Sequence, residues 1–343
     1  MLEQEEIRNL DSFSLYLSYD RWALYCREAY TMNVDVDWND VNKVVFTGMG
    51  GSATSGEIIS YLFNEQKSLQ IYVVRDYNLP HITDSKTLVI ASSVSGNTEE
   101  TLATLLDAIN RNVKCIAVSS GGRMEELCRA KGVNHVKIKN LGVPRATLPC
   151  LLYTHMRIIR DLVNINDSLI LDSINDLEWI SRKIGSSTDL ETNAAKQLAV
   201  WIGRGLPACL CSPLLRPVAK RFKDSMNENA KTCAIFDDIL ESSHNTIEAF
   251  SNRESTLRPI LLPCTNDNGK IDQRFGIVEQ YLSSQGYNPY RIPKIGSSLL
   301  SNMICTIYLL DYASIYLAIL REIDPGSTLA IDYIKKGLNV KRR

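Results

Sequence analysis

Lys43-Val44-Val45-Phe46-Thr47-Gly48-Met49-Gly50-Gly51-Ser52 is a short β-branched run that breaks into glycines and ends on a hydroxyl. A second stretch, Thr87-Leu88-Val89-Ile90-Ala91-Ser92-Ser93-Val94-Ser95-Gly96-Asn97-Thr98, repeats the form. Each reads as a strand, a tight loop and the start of a helix. A loop of that kind turns free backbone N–H groups, small hydroxyls and the positive end of a helix toward one point, which is how a phosphate is held. Neither loop carries a lysine in the Walker position, so a nucleotide triphosphatase is disfavoured. Lysine-free Ser/Thr-Gly loops suit a sugar phosphate better.

The pattern continues on both sides. The first forty residues read as an amphipathic helix. After it, strand-like runs at 43–47, 70–74, 87–91, 114–118 and 134–138 alternate with helical spacing. A second alternation follows, with strands at 207–211, 232–236, 258–262 and 289–292 and helices between them, then a long apolar helix at 297–320 and a short one at 328–338. Strand–helix alternation predicts an α/β protein, each half a mostly parallel sheet flanked by helices, with long C-terminal helices. A length of 343 residues also favours two domains. These are expected at 1–155, carrying the phosphate-binding loops, and at 175–343, with the break near 150–175.

Composition excludes several classes. With 45% hydrophobic and 22% charged residues and a net charge of −1, the chain offers no electrostatic footprint for nucleic acid or a membrane surface. No apolar run is expected to span a membrane, and the acidic start Met1-Leu2-Glu3-Gln4-Glu5-Glu6 is unlike a signal peptide, so a cytoplasmic protein is expected. The nine cysteines are scattered and lack zinc-site spacing, so no metal is expected; a disulfide stays open.

Glycine spacing alone leaves a rival. Gly48-Met49-Gly50-Gly51-Ser52-Ala53 with Asp76 at the end of the next strand fits a dinucleotide site. The second loop tips the balance, because the hydroxyls of Ser52, Ser93, Ser95 and Thr98 can converge on a compact dianion. Helix capping is the plain alternative for Thr98, which precedes Glu99 and Glu100.

In the second half, Asn227-Glu228-Asn229-Ala230-Lys231 places a carboxylate where a helix ends, held yet open to a cleft. His244, in Glu241-Ser242-Ser243-His244-Asn245, has the most polar setting of the four histidines. Such an acid–base pair can open a sugar ring and then move a proton. His155, on an apolar helix, reads as a packed core histidine. Arg145 follows the fifth strand, stiffened by Pro144. Lys335 and Lys336 lie on the last helix.

Taken in order, Gly48-Met49-Gly50-Gly51-Ser52, Ser93-Val94-Ser95-Gly96-Asn97-Thr98, Pro144-Arg145-Ala146, Asn227-Glu228-Asn229-Ala230-Lys231 and His244-Asn245 resemble the archaeal bifunctional phosphoglucose/phosphomannose isomerases of the sugar isomerase (SIS) fold, over nearly the whole chain. The resemblance implies two SIS domains and a metal- and cofactor-free interconversion of glucose 6-phosphate and mannose 6-phosphate with fructose 6-phosphate. By similarity, Ser52, Ser93, Ser95 and Thr98 bind the phosphate and Gly51 lets the backbone approach the sugar. Glu228 matches the base that moves a proton between C1 and C2, and Arg145 the cation that steadies the enediolate. His244 matches a ring-opening histidine contributed by the partner of a homodimer, and Lys335 a C-terminal lysine of the same step. Thr328 matches a small residue that leaves room for both epimers. Thr246 stands where an acidic residue is more usual. Set against this reading are a non-catalytic SIS regulator that binds sugar phosphates, an amidotransferase-type isomerase domain and a dehydrogenase.

Overall fold

Short helices α1 (Gln4–Leu10), α2 (Leu15–Asp20) and α3 (Trp22–Tyr30) open the computed structural model of the protein, which describes all residues except 1, 35, 37, 38, 64–68, 253–255 and 341–343. The single N-terminal helix expected from the sequence is thus broken, and Ser14, in the left-handed region at φ 50°, marks one break.

A first sheet follows, built from β1 (Lys43–Thr47), β2 (Gln70–Val74), β3 (Thr87–Ser93), β4 (Lys114–Ser119) and β5 (Asn134–Lys137). Between its strands run α4 (Gly51–Leu62), α5 (Glu99–Asn110) and α6 (Gly122–Lys131). All its pairings are parallel, in the order β2-β1-β3-β4-β5. β3 is buried along its whole length, as a strand covered on both faces should be.

Helices cover the stretch between the two expected domains. α7 (Leu148–Ile159) and α8 (Asp167–Ile184) fill it, and residue 155, the expected end of the first domain, lies inside α7. The second half holds α9 (Ala194–Ile202), β6 (Leu206–Cys211), α10 (Arg216–Glu228), β7 (Ile235–Asp238), α11 (Ile239–Ser242), β8 (Leu257–Leu262), α12 (Gly269–Ser284) and β9 (Tyr290–Arg291). Its sheet, also parallel, runs β7-β6-β8-β9. β7 starts later than predicted because the chain still turns after α10: Lys231 has φ 51° and the Thr232 N–H donates back to the Met226 carbonyl.

α13 (Leu299–Leu320) and α14 (Leu329–Val340) close the fold. Contrary to the sequence expectation, α13 is long and apolar enough to cross a bilayer, with a mean hydropathy of 1.8. It is instead a core helix, 94% buried over its most apolar window, and it carries a single charged residue, Asp311. The largest apolar cluster joins it to both sheets through Val44, Phe46, Cys209 and Ile260. All nine cysteines are free.

His155, on α7, is fully buried. Its Nδ1 lies 2.9 Å from Ser55 Oγ on α4 and its Nε2 lies 2.6 Å from Ser92 Oγ on β3. A neutral imidazole can donate at one nitrogen and accept at the other, so both hydroxyls are satisfied. Burial pushes its pKa down from 6.5 to about 3. The unfolded chain therefore takes up a proton that the folded chain refuses between those values. Stability from this site is complete above pH about 6.5 and falls by roughly 1.4 kcal/mol per pH unit below it, approaching a loss of about 5 kcal/mol near pH 3. Denaturant unfolding of the protein and of His155→Gln between pH 7 and pH 4 measures this: the wild-type curve should be steeper by that slope, and parallel curves would refute it.

Candidate functional site

The strand order of the first sheet reverses between β1 and β3, and the two sequence loops are the connections that leave those strands at their C-terminal ends. Open α/β sheets bind ligands in the crevice at such a switch point. Gly48 lets the loops close on each other, since a Cβ there would fall 2.7 Å from the Ser92 carbonyl oxygen. Gly50, at φ 52°, makes the turn into α4 in a conformation that side chains resist.

Three of the four hydroxyls have partners within the second loop, and they serve there largely as acceptors. Thr98 is the N-cap residue of α5, yet its side chain makes no capping bond. Its Oγ1 lies 2.8 Å from Ser93 Oγ, so one O–H of the pair stays available. Ser93 is also pinned by the Gly96 N–H at 3.1 Å. Ser95 is exposed and accepts from the Asn97 N–H at 3.2 Å. Ser52, on the first turn of α4, has no hydrogen-bond partner for its hydroxyl among the described residues. The crevice thus presents hydroxyl donors on both walls.

Facing it is a cluster drawn from three parts of the chain. Arg145 lies in a 3-10 turn, Pro144–Thr147, and is 4% exposed. A lone arginine after a strand usually reaches solvent, but this one is fully engaged. Its Nε donates to Asn229 Oδ1 at 2.5 Å, its Nη1 to Glu228 Oε2 at 3.3 Å, and its Nη2 to the Pro325 carbonyl. Glu228 is the last residue of α10, with its side chain 31% exposed, so it is gripped on one side and open on the other. Asn229 is buried and passes a second bond to Ser314 on α13 at 2.8 Å.

Lys231 ties the next segment in. Its Nζ donates to the Glu228 carbonyl at 2.5 Å and to the Ser327 carbonyl at 2.7 Å, which sets Thr328 beside the cluster. Lys335, on α14, is exposed, as is Lys336, and neither forms an ion pair among the described residues. His244 lies in the turn after α11, also exposed, and among the described residues no hydrogen bond joins it to Glu228. Within one chain, then, Arg145 and Glu228 are brought together, with the segment before Thr328 tied to them through Pro325 and Ser327, and among the described residues no hydrogen bond or ion pair joins His244 or Lys335 to them. Thr246, in place of an acid, donates to Asp237 Oδ2 at 2.7 Å, so a carboxylate still borders this turn.

Sequence reasoning missed the residue that joins the loops to the cluster. Arg221, on the buried face of α10, donates to the Arg145 carbonyl at 2.7 Å and to Asp311 Oδ2 at 2.8 Å. Asp311 also accepts from Tyr19 at 2.8 Å and from Ser225 at 2.5 Å. Burial opposes the charge on Arg221, but the Asp311 carboxylate outweighs it and holds the guanidinium protonated. The clue was present: one aspartate in an otherwise uncharged apolar helix must have a buried partner.

The second sheet has a switch point as well, between β6 and β8. There the Asp267 carboxylate accepts from Ser212 Oγ at 2.5 Å and from the Cys264 N–H at 2.7 Å. Here a carboxylate of the chain itself takes up donors at the switch point.

Known proteins bear on this arrangement. The SIS domain family model matches residues 39–134, and the model described as the bacterial phospho-glucose isomerase C-terminal SIS domain matches 191–338. A bifunctional phosphoglucose/phosphomannose isomerase of Caldicellulosiruptor bescii is 33% identical over 317 residues, covering 90% of this chain and 92% of that one. One of the same name from Thermoplasma volcanium is 30% identical over 298 residues, covering 86% and 91%. The likeness therefore reaches beyond the archaeal proteins that the motifs resemble. Among solved structures, a hypothetical protein of Thermus thermophilus superposes with a TM-score of 0.75 over 98% of this chain and 94% of that one; at 16% identity it speaks for the fold alone.

Removing one hydroxyl should weaken the anion site without touching the fold. Thr98→Val is expected to lose about tenfold in affinity for inorganic phosphate, as one charge-assisted hydrogen bond is worth about 1.5 kcal/mol or more. Titration calorimetry checks this, with a melting temperature near that of the parent as the control.

Proposed function

We propose that this chain, which belongs to the bifunctional phosphoglucose/phosphomannose isomerase family, carries out its isomerisation by moving a proton at Glu228. It is an aldose–ketose isomerase that interconverts glucose 6-phosphate and mannose 6-phosphate with fructose 6-phosphate. The observation that carries the reading is the 3.3 Å contact between Arg145 Nη1 and Glu228 Oε2, a half-open carboxylate beside a buried cation.

A C–H next to a carbonyl is a weak acid. Taking its proton needs a base on one side and stabilisation of negative charge at oxygen on the other. Glu228 supplies the base, worth roughly 10²–10⁴-fold for a well-placed group. Arg145 faces the developing enediolate oxygen, where a fixed donor adds about 3 kcal/mol. The hydroxyls of Ser52, Ser93, Ser95 and Thr98 anchor the phosphate, and Gly51 keeps the wall low enough for the sugar to pass. A cis-enediolate reprotonated at C2 from either face gives both epimers, and Thr328 leaves the space for that.

We place His244 and Lys335 in ring opening, His244 reaching the site from a second copy in a homodimer. The C-terminal helix supports this. Leu329, Tyr333 and Ile334 of α14 are 79%, 80% and 62% exposed, an apolar face that a monomer leaves in water. Unpaired thiols throughout suit a reducing cytoplasm. A sugar-phosphate regulator without catalysis would have no use for Glu228 paired with Arg145.

Glu228→Gln should lose at least about a hundredfold in turnover while its affinity for phosphate holds. Near-parental turnover would sink the assignment, and intact binding with no turnover in the parent would favour the regulator. Fructose 6-phosphate converted in heavy water should carry deuterium at C2 of both aldose products; label in one alone would refute the shared intermediate. Co-expressing Glu228→Gln with His244→Ala should restore about a quarter of parental activity, because about half of randomly formed dimers are mixed and each holds one whole site. No recovery would place both groups in one chain.

A further inference from the structure

We infer that Arg221 is a substrate-contacting residue: its Nη1 donates to a hydroxyl oxygen of the hexose chain between the phosphate and the reacting carbons. The inference deepens the isomerase reading and rests on it for the identity of the ligand.

The guanidinium is held on one side only. Nε donates to both oxygens of Asp311, at 3.3 and 3.2 Å. Nη2 donates to Asp311 Oδ2, to the Arg145 carbonyl and to Tyr19 Oη at 3.4 Å. Nη1 has no hydrogen-bond partner among the described residues. A buried guanidinium nitrogen left that way costs free energy comparable to a lost charged hydrogen bond. Nor is Nη1 among the partnerless polar atoms sealed from solvent, so this nitrogen keeps an opening to the outside.

The opening lies in the crevice. Arg221 Nη1 is the one atom that a Cβ on Gly51 would meet, at 3.4 Å. Gly51 is the first residue of α4, next to Ser52 and the phosphate hydroxyls. On its other side Arg221 holds the backbone of Arg145, whose own side chain reaches Glu228. Nη1 thus stands between the wall that takes the phosphate and the carboxylate that acts at C1 and C2. A hexose 6-phosphate lying across that line passes its central hydroxyls over this nitrogen. Asp311 balances the charge of Arg221, which leaves Nη1 suited to a neutral hydroxyl more than to a second share of the dianion.

Two variants separate this role from a structural one. Gly51→Ala puts a methyl against Nη1 at a backbone conformation open to alanine, with no other neighbour within 4 Å. Arg221→Lys keeps a cation for Asp311 but removes Nη1. Binding of glucitol 6-phosphate and of inorganic phosphate is measured for each protein by calorimetry. The expected result is that both variants weaken the glucitol 6-phosphate complex at least tenfold while phosphate affinity stays within twofold. Equal weakening of both ligands by Gly51→Ala would overturn the inference, as would no change in either. Gly51→Ala also narrows the path of the sugar, so Arg221→Lys decides; if that variant fails to fold, Arg221→Gln combined with Asp311→Asn, which removes both buried charges together, is read in its place. These are binding measurements, so an absence of isomerase activity in the parent would count against the proposed function and leave the role of Arg221 to the ratio.

Discussion

The ion pair between Arg221 and Asp311 is the joint on which the site depends. Both side chains are almost sealed from water, at 4% and 0% exposure, so each is tolerable only because the other is there. Replacing such a pair with apolar residues can be neutral, but removing one partner strands a buried charge at a cost of about 3–5 kcal/mol. The pair connects α10 to α13, and through the Arg145 carbonyl it also fixes the turn that follows the first sheet. Arg145 then positions Glu228, whose own helix carries Arg221. The loop is closed: the carboxylate, the cation beside it and the support behind them are held by one another.

A second clamp acts midway along α4. Glu57 Oε1 accepts from Arg75 at 2.6 Å and from Lys220 at 2.9 Å, one from the first sheet and one from α10. With His155 bridging Ser55 and Ser92, the helix that begins at the anion crevice is fixed to β3, to α7 and to the second half. The proposed proton transfer would need such rigidity, because a reacting group held away from its near-attack position loses much of the rate advantage of being bound.

The two sheets are alike in their parallel pairing, and the difference in use comes from single residues. In the first, Thr98 makes no capping bond to its helix and pairs with Ser93 instead. In the second, Asp267 takes the Ser212 hydroxyl and the Cys264 N–H for itself. One architecture therefore carries two different switch points, and in the second half Glu228 stands at the end of α10.

Much of this was legible in the chain. β-branched runs followed by glycine and hydroxyl loops are local signals, and they determined the parallel sheets and the loops that meet at the switch point. The position of Glu228 at a helix end was legible for the same reason. What the sequence could not supply was long-range. The packing of α8 against α3 and α13 is one such case, since its apolar stripe does not name its partners. The chain also carried no local sign that Arg145 is buried and shared among Asn229, Glu228 and Pro325, or that Arg221 finds Asp311 ninety positions away. A charged side chain reads as surface until its partner is known, and partners far apart in the chain meet only when the core forms between them.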